Sequence, residues 1–364
     1  MANNDSNSEG QFTYDSNSEG QFTYALQLIT SIALPMVLSN AIKLNLLEVI
    51  AEAGPNAGLS AQEIASSLSI SNPDAPDMID RMLRLLASYA IVTCVQEDRE
   101  AKPVRVYGLA PVSKLFIQNE DGVSLCPMLE LQQNKLYLET WPKLKDSVQE
   151  GGIAFEKIHG MHEYEYFGVD ANLNEVFNKA MVHSSTIMVK EMLKHYNGFE
   201  NLNCVVDVGG GVGTTINLIV SKYPTIKGIN FDLPHVIQQA PFYKGVNHVE
   251  GDMFHNIPQA DGIFMKWVLH CYDDNRCIKL LKNCYQALQD GGKVIVVDKV
   301  IPFLPDTSSS VKTASHLDAI MMTQTPGGKE RTENEFLALA KEAGFGGIEK
   351  KCFVCNNWVM EFYK

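Results

Sequence analysis

The chain has 364 residues, 45% of them hydrophobic, enough for two domains that each bury a core of their own. Its 30 Lys and Arg stand against 43 Asp and Glu, and the net charge of −13 opposes nucleic-acid binding, because a phosphate backbone demands clustered cations. No apolar stretch reaches the length of a membrane span; residues 24–38 come closest before Ser39, Asn40 and Lys43 interrupt them.

The first residues lack the basic and apolar regions of a signal peptide, so the cytoplasm is the expected compartment and the eight cysteines are expected to remain thiols. Residues 5–14 and 15–24 are the same decapeptide, Asp-Ser-Asn-Ser-Glu-Gly-Gln-Phe-Thr-Tyr. Its small polar composition predicts a disordered duplicated arm over 1–24. Next, Leu28, Ile32, Met36, Ala41, Leu44, Leu47 and Ile50 recur near helical spacing, interrupted by Pro35. Ser60-Ala-Gln-Glu63 reads as a capping box. An amphipathic helix over 78–89 and a hairpin through 91–95 and 105–109 follow. Helices and then a hairpin predict a winged-helix-like domain over 25–115. The helix that would read DNA offers only Arg81 and Arg84 among apolar residues, so dimerisation is the better reading.

Helices are expected over 130–144 and 173–196, linking to a second domain that spans 116–364. From residue 205, apolar strands at 205–208, 227–232, 246–250, 262–268 and 294–297 alternate with helices, one running to about 222 and one over 278–288. That alternation specifies an α/β fold, a doubly wound sheet with its ligand at the carboxyl ends of the strands. Segments after Phe345 supply closing antiparallel strands. Cys352-Phe-Val-Cys355 has C-x-x-C spacing, but it lies in an apolar segment without a second pair and reads as buried thiols.

Val205-Val-Asp-Val-Gly-Gly-Gly-Val-Gly-Thr-Thr215 is the most informative run, a buried strand that breaks into a glycine loop opening a helix. A dinucleotide fingerprint starting at Gly209 or Gly211 would need its third glycine at Thr214 or Ile216, so it fails. The alternative pattern, acid-x-G-G-G-x-G, is met by Asp207, Gly209, Gly210, Gly211 and Gly213, and it describes an S-adenosylmethionine site. Asp232 ends the next strand, where a carboxylate accepts bonds from ribose hydroxyls. In Gly251-Asp252-Met253 a carboxylate and a thioether suit an adenine ring. The following strand ends Met265-Lys266-Trp267-Val268-Leu269-His270, which sets a cation and an imidazole beside the same pocket.

Leu34-Pro-Met-Val, Asn72-Pro-Asp-Ala-Pro, Arg81-Met-Leu-Arg-Leu-Leu, Asn119-Glu-Asp-Gly-Val, Val206-Asp-Val-Gly-Gly-Gly, Gly251-Asp-Met-Phe and Pro326-Gly-Gly-Lys-Glu-Arg-Thr, together with the run from Lys222-Tyr-Pro to Leu233-Pro-His-Val236, carry a family resemblance. From about Ala25 to the C-terminus the chain resembles the plant small-molecule O-methyltransferases, in particular their caffeic acid O-methyltransferase group. The resemblance implies a class I methyltransferase fold and a homodimer whose N-terminal domain contributes to the partner's substrate pocket. Asp207, Gly209, Gly211 and Leu233 would hold S-adenosylmethionine with Asp232 at the ribose, and Asp252, Met253 and Lys266 would border the adenosine. His270 would be the general base, flanked by Glu330 and Asp298; Glu330 also reads as a helix-start acid, because a capping box begins at Thr332. Phe177, Met181, His183, Met321, Met322 and Thr325 would form the acceptor slot, and no metal is implied.

Four departures fall around that slot. Asp298 stands where the group has Glu, Cys271 where it has an acid, Thr325 where it has Asn, and Gly160-Met-His-Glu-Tyr-Glu-Tyr-Phe167 where it has Gly-Met-Thr-Ala-Phe-Glu-Tyr-His. The chemistry is therefore expected to persist while the preferred acceptor moves away from caffeate. Phenylpropanoids, hydroxycoumarins and furanocoumarins lead, followed by flavonoids and isoquinoline alkaloids. The reading from another class is a winged-helix regulator that senses S-adenosylmethionine.

Overall fold

The computed structural model describes residues 18–54 and 57–364. The chain divides into two compact units, Met1–Asn119 and Glu120–Lys364.

The first unit holds α1 (Ser18–Thr30), α2 (Ala33–Lys43), α3 (Leu46–Glu52), α4 (Ala61–Ser67), α5 (Ala75–Ser88) and the antiparallel hairpin of β1 (Val92–Arg99) and β2 (Lys102–Leu109). The arm expected over 1–24 needs correction from Ser18 onward. The second decapeptide runs directly into Ala25-Leu-Gln-Leu-Ile, so its last residues extend a helix that is already nucleated. The first copy lies outside the described residues. Pro35 falls in the first turn of α2, where its missing N–H has no helical partner to lose. The Ser60–Glu63 capping box starts α4 as expected. β1 and β2 reach past the expected 95 and 105 to a turn at Glu100 and Ala101, both with positive φ (52° and 60°). That geometry suits a tight hairpin, although no Gly or Asn announces it.

Leu46, Leu47, Ile64, Leu83, Leu86 and Tyr107 make the core of this unit, whereas Phe22, Leu26, Leu28, Ile29 and Ile32 remain exposed. No single helix among the described residues is long and apolar enough to cross a membrane; α1 and α2 reach that composition only as a pair bent by 48°.

In the second unit the helix expected over 130–144 is broken. It is replaced by α6 (Cys126–Gln132), α7 (Lys135–Leu138), a 3-10 turn over Trp141–Lys143 and α8 (Leu144–Glu150). Asn134 causes the first break by leaving the helix to cap α7, its Oδ1 accepting from the Leu136 N–H at 3.0 Å. Pro142, without an N–H, enforces the second. After α9 (Ala154–His159) and α10 (Glu163–Tyr166), the long α11 (Ala171–His195) begins at an Asp170 cap. Then come β3 (Cys204–Val208), α12 (Thr214–Lys222), β4 (Lys227–Asp232), α13 (Pro234–Ile237), β5 (Val246–Glu250), β6 (Ala260–Lys266), α14 (Asp274–Ala287) and β7 (Leu288–Asp298). α15 (Ser309–Gln324), α16 (Glu333–Glu342), β8 (Gly347–Val354) and β9 (Asn357–Tyr363) complete the chain.

The seven strands lie in the order β5-β4-β3-β6-β7-β9-β8, with β3 to β7 parallel and β9 antiparallel to both its neighbours. α11 and α12 cover one face through Met188, Met192, Ile216 and Ile219. α14 and α16 cover the other through Leu280, Leu281, Phe336 and Leu339. The strand order reverses between β3 and β6, and a ligand crevice belongs at the carboxyl ends of the strands there. All eight cysteines are free, including Cys352 on β8 and Cys355 in the turn after it.

Candidate active site

β3 delivers the glycine loop to that crevice. Gly209, Gly211 and Gly213 adopt positive φ of 69°, 59° and 86°, conformations that favour glycine. Gly210 is required for close packing instead, since a Cβ there would lie 2.2 Å from Asn230 Oδ1. At Gly211 a Cβ would meet nothing within 4 Å, because this residue borders open space. The loop is tied to β4 from both sides. Asn230 donates to the Gly211 carbonyl at 2.9 Å, and the Gly211 N–H donates to Asp232 Oδ2 at 2.8 Å.

A cavity of about 570 Å3 opens beside this loop, at the carboxyl ends of β3, β4 and β6, and the wall of α11 reaches it. Asp207, Gly209, Gly211, Asp232, Leu233, Asp252, Met253 and Lys266 all line it, as do Phe177 and Met181. Burial pushes the Asp207 carboxyl up to about 7, against the pull of Lys266. Burial likewise brings Lys266 down to about 8, with Asp207 opposing, while its ammonium lies 3.6 Å from the Trp267 ring centre. Asp232 is raised by burial, and the Leu233 and Gly211 N–H groups resist the rise. Asp207 Oδ2 and Thr214 Oγ1 are buried without hydrogen-bond partners. Unpaired polar atoms in a cavity wall cost free energy that a polar ligand recovers.

Trp267 turns the chain at the end of β6 with φ of 57°, held by its N–H on the Val297 carbonyl (3.0 Å) and its indole N–H on Asn357 Oδ1 (2.8 Å). A 3-10 turn over Leu269–Cys271 follows and presents His270. Its Nδ1–H donates to Glu330 Oε1 at 2.9 Å, which leaves Nε2 as the ring's acceptor. Glu330 is fixed in turn by α15, because its N–H donates to Asp318 Oδ1 at 2.8 Å. Burial works against charging His270, but the Cys271 sulfur and the Glu330 carboxylate beside the ring outweigh it and hold the pKa well above the ordinary value.

Asp298, at the end of β7, is pushed up to about 6 by burial despite the attraction of His270. Neither of its oxygens has a hydrogen-bond partner, so it makes no direct bond to His270.

His270, Glu330 and Asp298 do not themselves line the cavity. Its wall next to His270 is made by Tyr164 and Cys271, whose hydroxyl and sulfur meet at 2.8 Å. Four expected slot residues are also off the wall. The Nδ1 of His183 accepts from the Ser124 N–H (3.1 Å), and the Thr325 hydroxyl is spent on the Met321 carbonyl (2.8 Å) at the end of α15. Met321 and Met322 lie on that helix and do not line the cavity, Met322 being exposed. Conversely, sequence reasoning missed Asn174, Asn178, Tyr272 and Arg276, which line it. Asn174 and Asn178 had a signal, since they share a helical face with Phe177 and Met181.

A doubly wound sheet, a glycine loop with acids at consecutive strand ends, and an imidazole paired to a buried carboxylate together define a methyltransferase of the S-adenosylmethionine-binding class. Residues 141–346 match the O-methyltransferase domain family and residues 26–119 the O-methyltransferase dimerisation domain family. The chain belongs to the O-methyltransferase family. It is 55% identical to caffeic acid 3-O-methyltransferase 1 of Populus tremuloides, over 93% of each chain. It is 52% identical to esculetin O-methyltransferase of Kitagawia praeruptora, over 93% of this chain and 94% of that one. Its fold is shared with human N-acetylserotonin methyltransferase, with a TM-score of 0.77 at 22% identity, covering 96% and 99% of the two chains. It is therefore an enzyme whose methyl donor is S-adenosylmethionine. The open side of Gly211 and the orphaned Asp207 and Thr214 atoms suit such a polar group.

Proposed function

We propose that this enzyme methylates a phenolic hydroxyl of a small aromatic plant secondary metabolite of phenylpropanoid or hydroxycoumarin type, as a cytosolic homodimer without a metal. The observation that carries the reading is the 2.9 Å bond between His270 Nδ1 and the buried Glu330 carboxylate. Relatives named for caffeic acid and esculetin support the acceptor class. The exposed apolar residues of α1, which runs into the dimerisation domain, support the homodimer. Among the described residues no three His, Cys, Asp or Glu side chains converge to hold a metal ion.

S-adenosylmethionine supplies a methyl group on a positive sulfonium that is already a good leaving group. The protein's tasks are then to hold the reactants, exclude water and take a proton. A phenol with a pKa of about 10 is a weak nucleophile at neutral pH. Neutral His270 removes its proton at Nε2, and the carboxylate on Nδ1 fixes the tautomer and stabilises the imidazolium. Asp232 serves the ribose hydroxyls with the lone pairs its backbone bonds leave free. Asp207, Gly209, Gly211 and Leu233 form the loop wall, and Asp252, Met253 and Lys266 border the adenosine. Phe177 and Met181 give the acceptor ring an apolar wall. Asp298 acts on His270 only through its field.

The test is a panel of phenols with labelled methyl donor, read by product mass and regiochemistry, with and without EDTA. Methylated phenol in both arms is expected. Transfer to no phenol, or activity lost on chelation and restored by Mg2+, overturns the reading.

The raised pKa of His270 also fixes a pH dependence. Below that pKa the ring is already protonated and cannot accept, so kcat/KM climbs as pH rises through it. Glu330→Gln removes the anion that favours the imidazolium, so the rising limb moves to lower pH, by about 1–2 units, while the plateau falls. A pH profile whose limb stays in place in Glu330→Gln separates Glu330 from the base.

A further inference from the structure

Asp207, Asn230 and His248 stand side by side across three parallel strands, Asp207 paired in register with Asn230 and Asn230 with His248. Register partners point to the same face of a sheet, so the three make a polar row beneath the glycine loop. Val205, Ile216 and Ile219 make the rest of that face apolar. Asn230 is fully buried, and both hydrogens of its amide are used, one on the Gly211 carbonyl at 2.9 Å and one on His248 Nδ1 at 3.1 Å. Its Oδ1 has no hydrogen-bond partner. Valine or isoleucine would fill such a position without burying an amide that leaves its oxygen unpaired.

The direction of each bond follows from its ends. A backbone carbonyl only accepts, so the amide nitrogen faces Gly211 and His248 Nδ1 is the acceptor for the second hydrogen. The imidazole proton is then on Nε2, where it meets another carbonyl, that of Pro241, at 2.9 Å. The ring also supports the loop by packing, since a Cβ on Gly213 would lie 2.9 Å from His248 Cε1.

We propose that His248 is a positioning residue for the methyl donor, its Nδ1 holding the Asn230 amide in the orientation that anchors the Gly211 carbonyl. The inference rests on the reading that the loop from Gly209 to Gly213 holds S-adenosylmethionine, and it is independent of the acceptor and of the base. His248 does not line the cavity and acts through Asn230. Gly211 needs the anchor because it borders open space in a left-handed conformation, with φ of 59°. Its N–H donates to Asp232 Oδ2, so the residue that Asn230 holds also orients the carboxylate of the ribose site. Without an acceptor at the Nδ1 position one amide hydrogen is left unpaired. The amide is then free to turn its oxygen towards the Gly211 carbonyl, which repels it, and the loop has to be ordered again when the donor binds. No neighbour takes over, because Tyr243 meets the imidazole only as a ring, with centroids 6.1 Å apart.

The experiment is calorimetry of S-adenosylmethionine binding to the unmodified enzyme, His248→Asn, His248→Gln and Gly211→Ala. An Asn side chain places its oxygen near the position of Nδ1, whereas Gln reaches the position of Nε2 instead. His248→Asn is expected to stay within about 3-fold of the parent Kd and His248→Gln to raise it by about 10-fold. With any phenol that the enzyme methylates, kcat at saturating donor stays within about 2-fold in both. Gly211→Ala, strained at positive φ, raises the Kd as well and reports the loop's own share. The reverse order of the two His248 variants makes the Pro241 bond the important one and overturns the proposal. Equal weakening in both also overturns it, since the ring then supports the fold and not the amide. So does an unchanged Kd in both while Gly211→Ala binds more weakly. If Gly211→Ala too binds like the parent, the assignment of the loop has failed and the proposal with it, a result distinct from the others.

Discussion

Replacing His270 with Ala lowers kcat by about 10²–10⁴-fold while the affinity for S-adenosylmethionine stays within about 2-fold. The asymmetry follows from position. The residues that form the cavity are the loop glycines, Asp232, Asp252 and Lys266, whereas His270 is bonded to Glu330 and does not line it. What the substitution removes is the acceptor for the phenol proton, an interaction needed in the transition state and not in the binding of the methyl donor. A second consequence separates a lost base from a damaged fold. Without His270 the phenolate must form in solution, so the residual rate in His270→Ala keeps rising with pH towards the phenol's own pKa of about 10, where the parent enzyme has already levelled off. Turnover comparable to the parent at neutral pH removes His270 from the mechanism, and calorimetry gives the donor affinity independently.

The sheet and its loop were legible because their signals are local. Asp207, Asp232 and His270 each stand at the end of an apolar run, and Gly209, Gly211 and Gly213 need conformations that few other residues tolerate. Capping boxes at Ser60 and Thr332 are equally local and lie where the sequence puts them. What was not legible depends on distant partners. Asn134 looks helical until its side chain is seen capping α7, and Glu100-Ala101 forms a tight turn with residues that do not advertise one. Tyr164 meets Cys271 across 107 positions, and Tyr137 meets Glu163 across 26, so neither pair leaves a periodic trace. Met321 and Met322, expected in the acceptor slot, lie on α15 and are not among the residues that line this cavity. The resemblance to a family supplied roles for positions. It did not supply the consequences of His248 and Cys271, which exist only in this chain's own contacts.

Arg331→Met destabilises the second unit by about 3–5 kcal/mol and lowers kcat further than the unfolded fraction accounts for. Arg331 was in plain view in Gly-Lys-Glu-Arg-Thr, and its task appears only in three dimensions. Its side chain is fully buried, and the guanidinium donates to the Leu269 carbonyl (2.7 Å) and the Tyr272 carbonyl (2.7 Å), bracketing the turn that carries His270 and Cys271. It also bonds Asp274 at 2.8 Å, but that carboxylate is 51% exposed and its share is screened by solvent. The expected loss therefore comes mainly from two carbonyls deprived of a charged donor. Met fills much of the volume, so the cost is polar and not a cavity. With the bracket gone, the turn is free to shift His270 relative to Glu330, and a base displaced by a fraction of an ångström loses rate even in the folded fraction. Arg331→Lys keeps the charge, yet a single ammonium does not reproduce the planar fork that spans both carbonyls, so it recovers less than half of the loss. Urea denaturation of the three proteins gives the stabilities, and kcat corrected for the folded fraction gives the positioning effect. A change below about 1 kcal/mol in Arg331→Met, with kcat intact, shows that the turn holds its shape without the guanidinium.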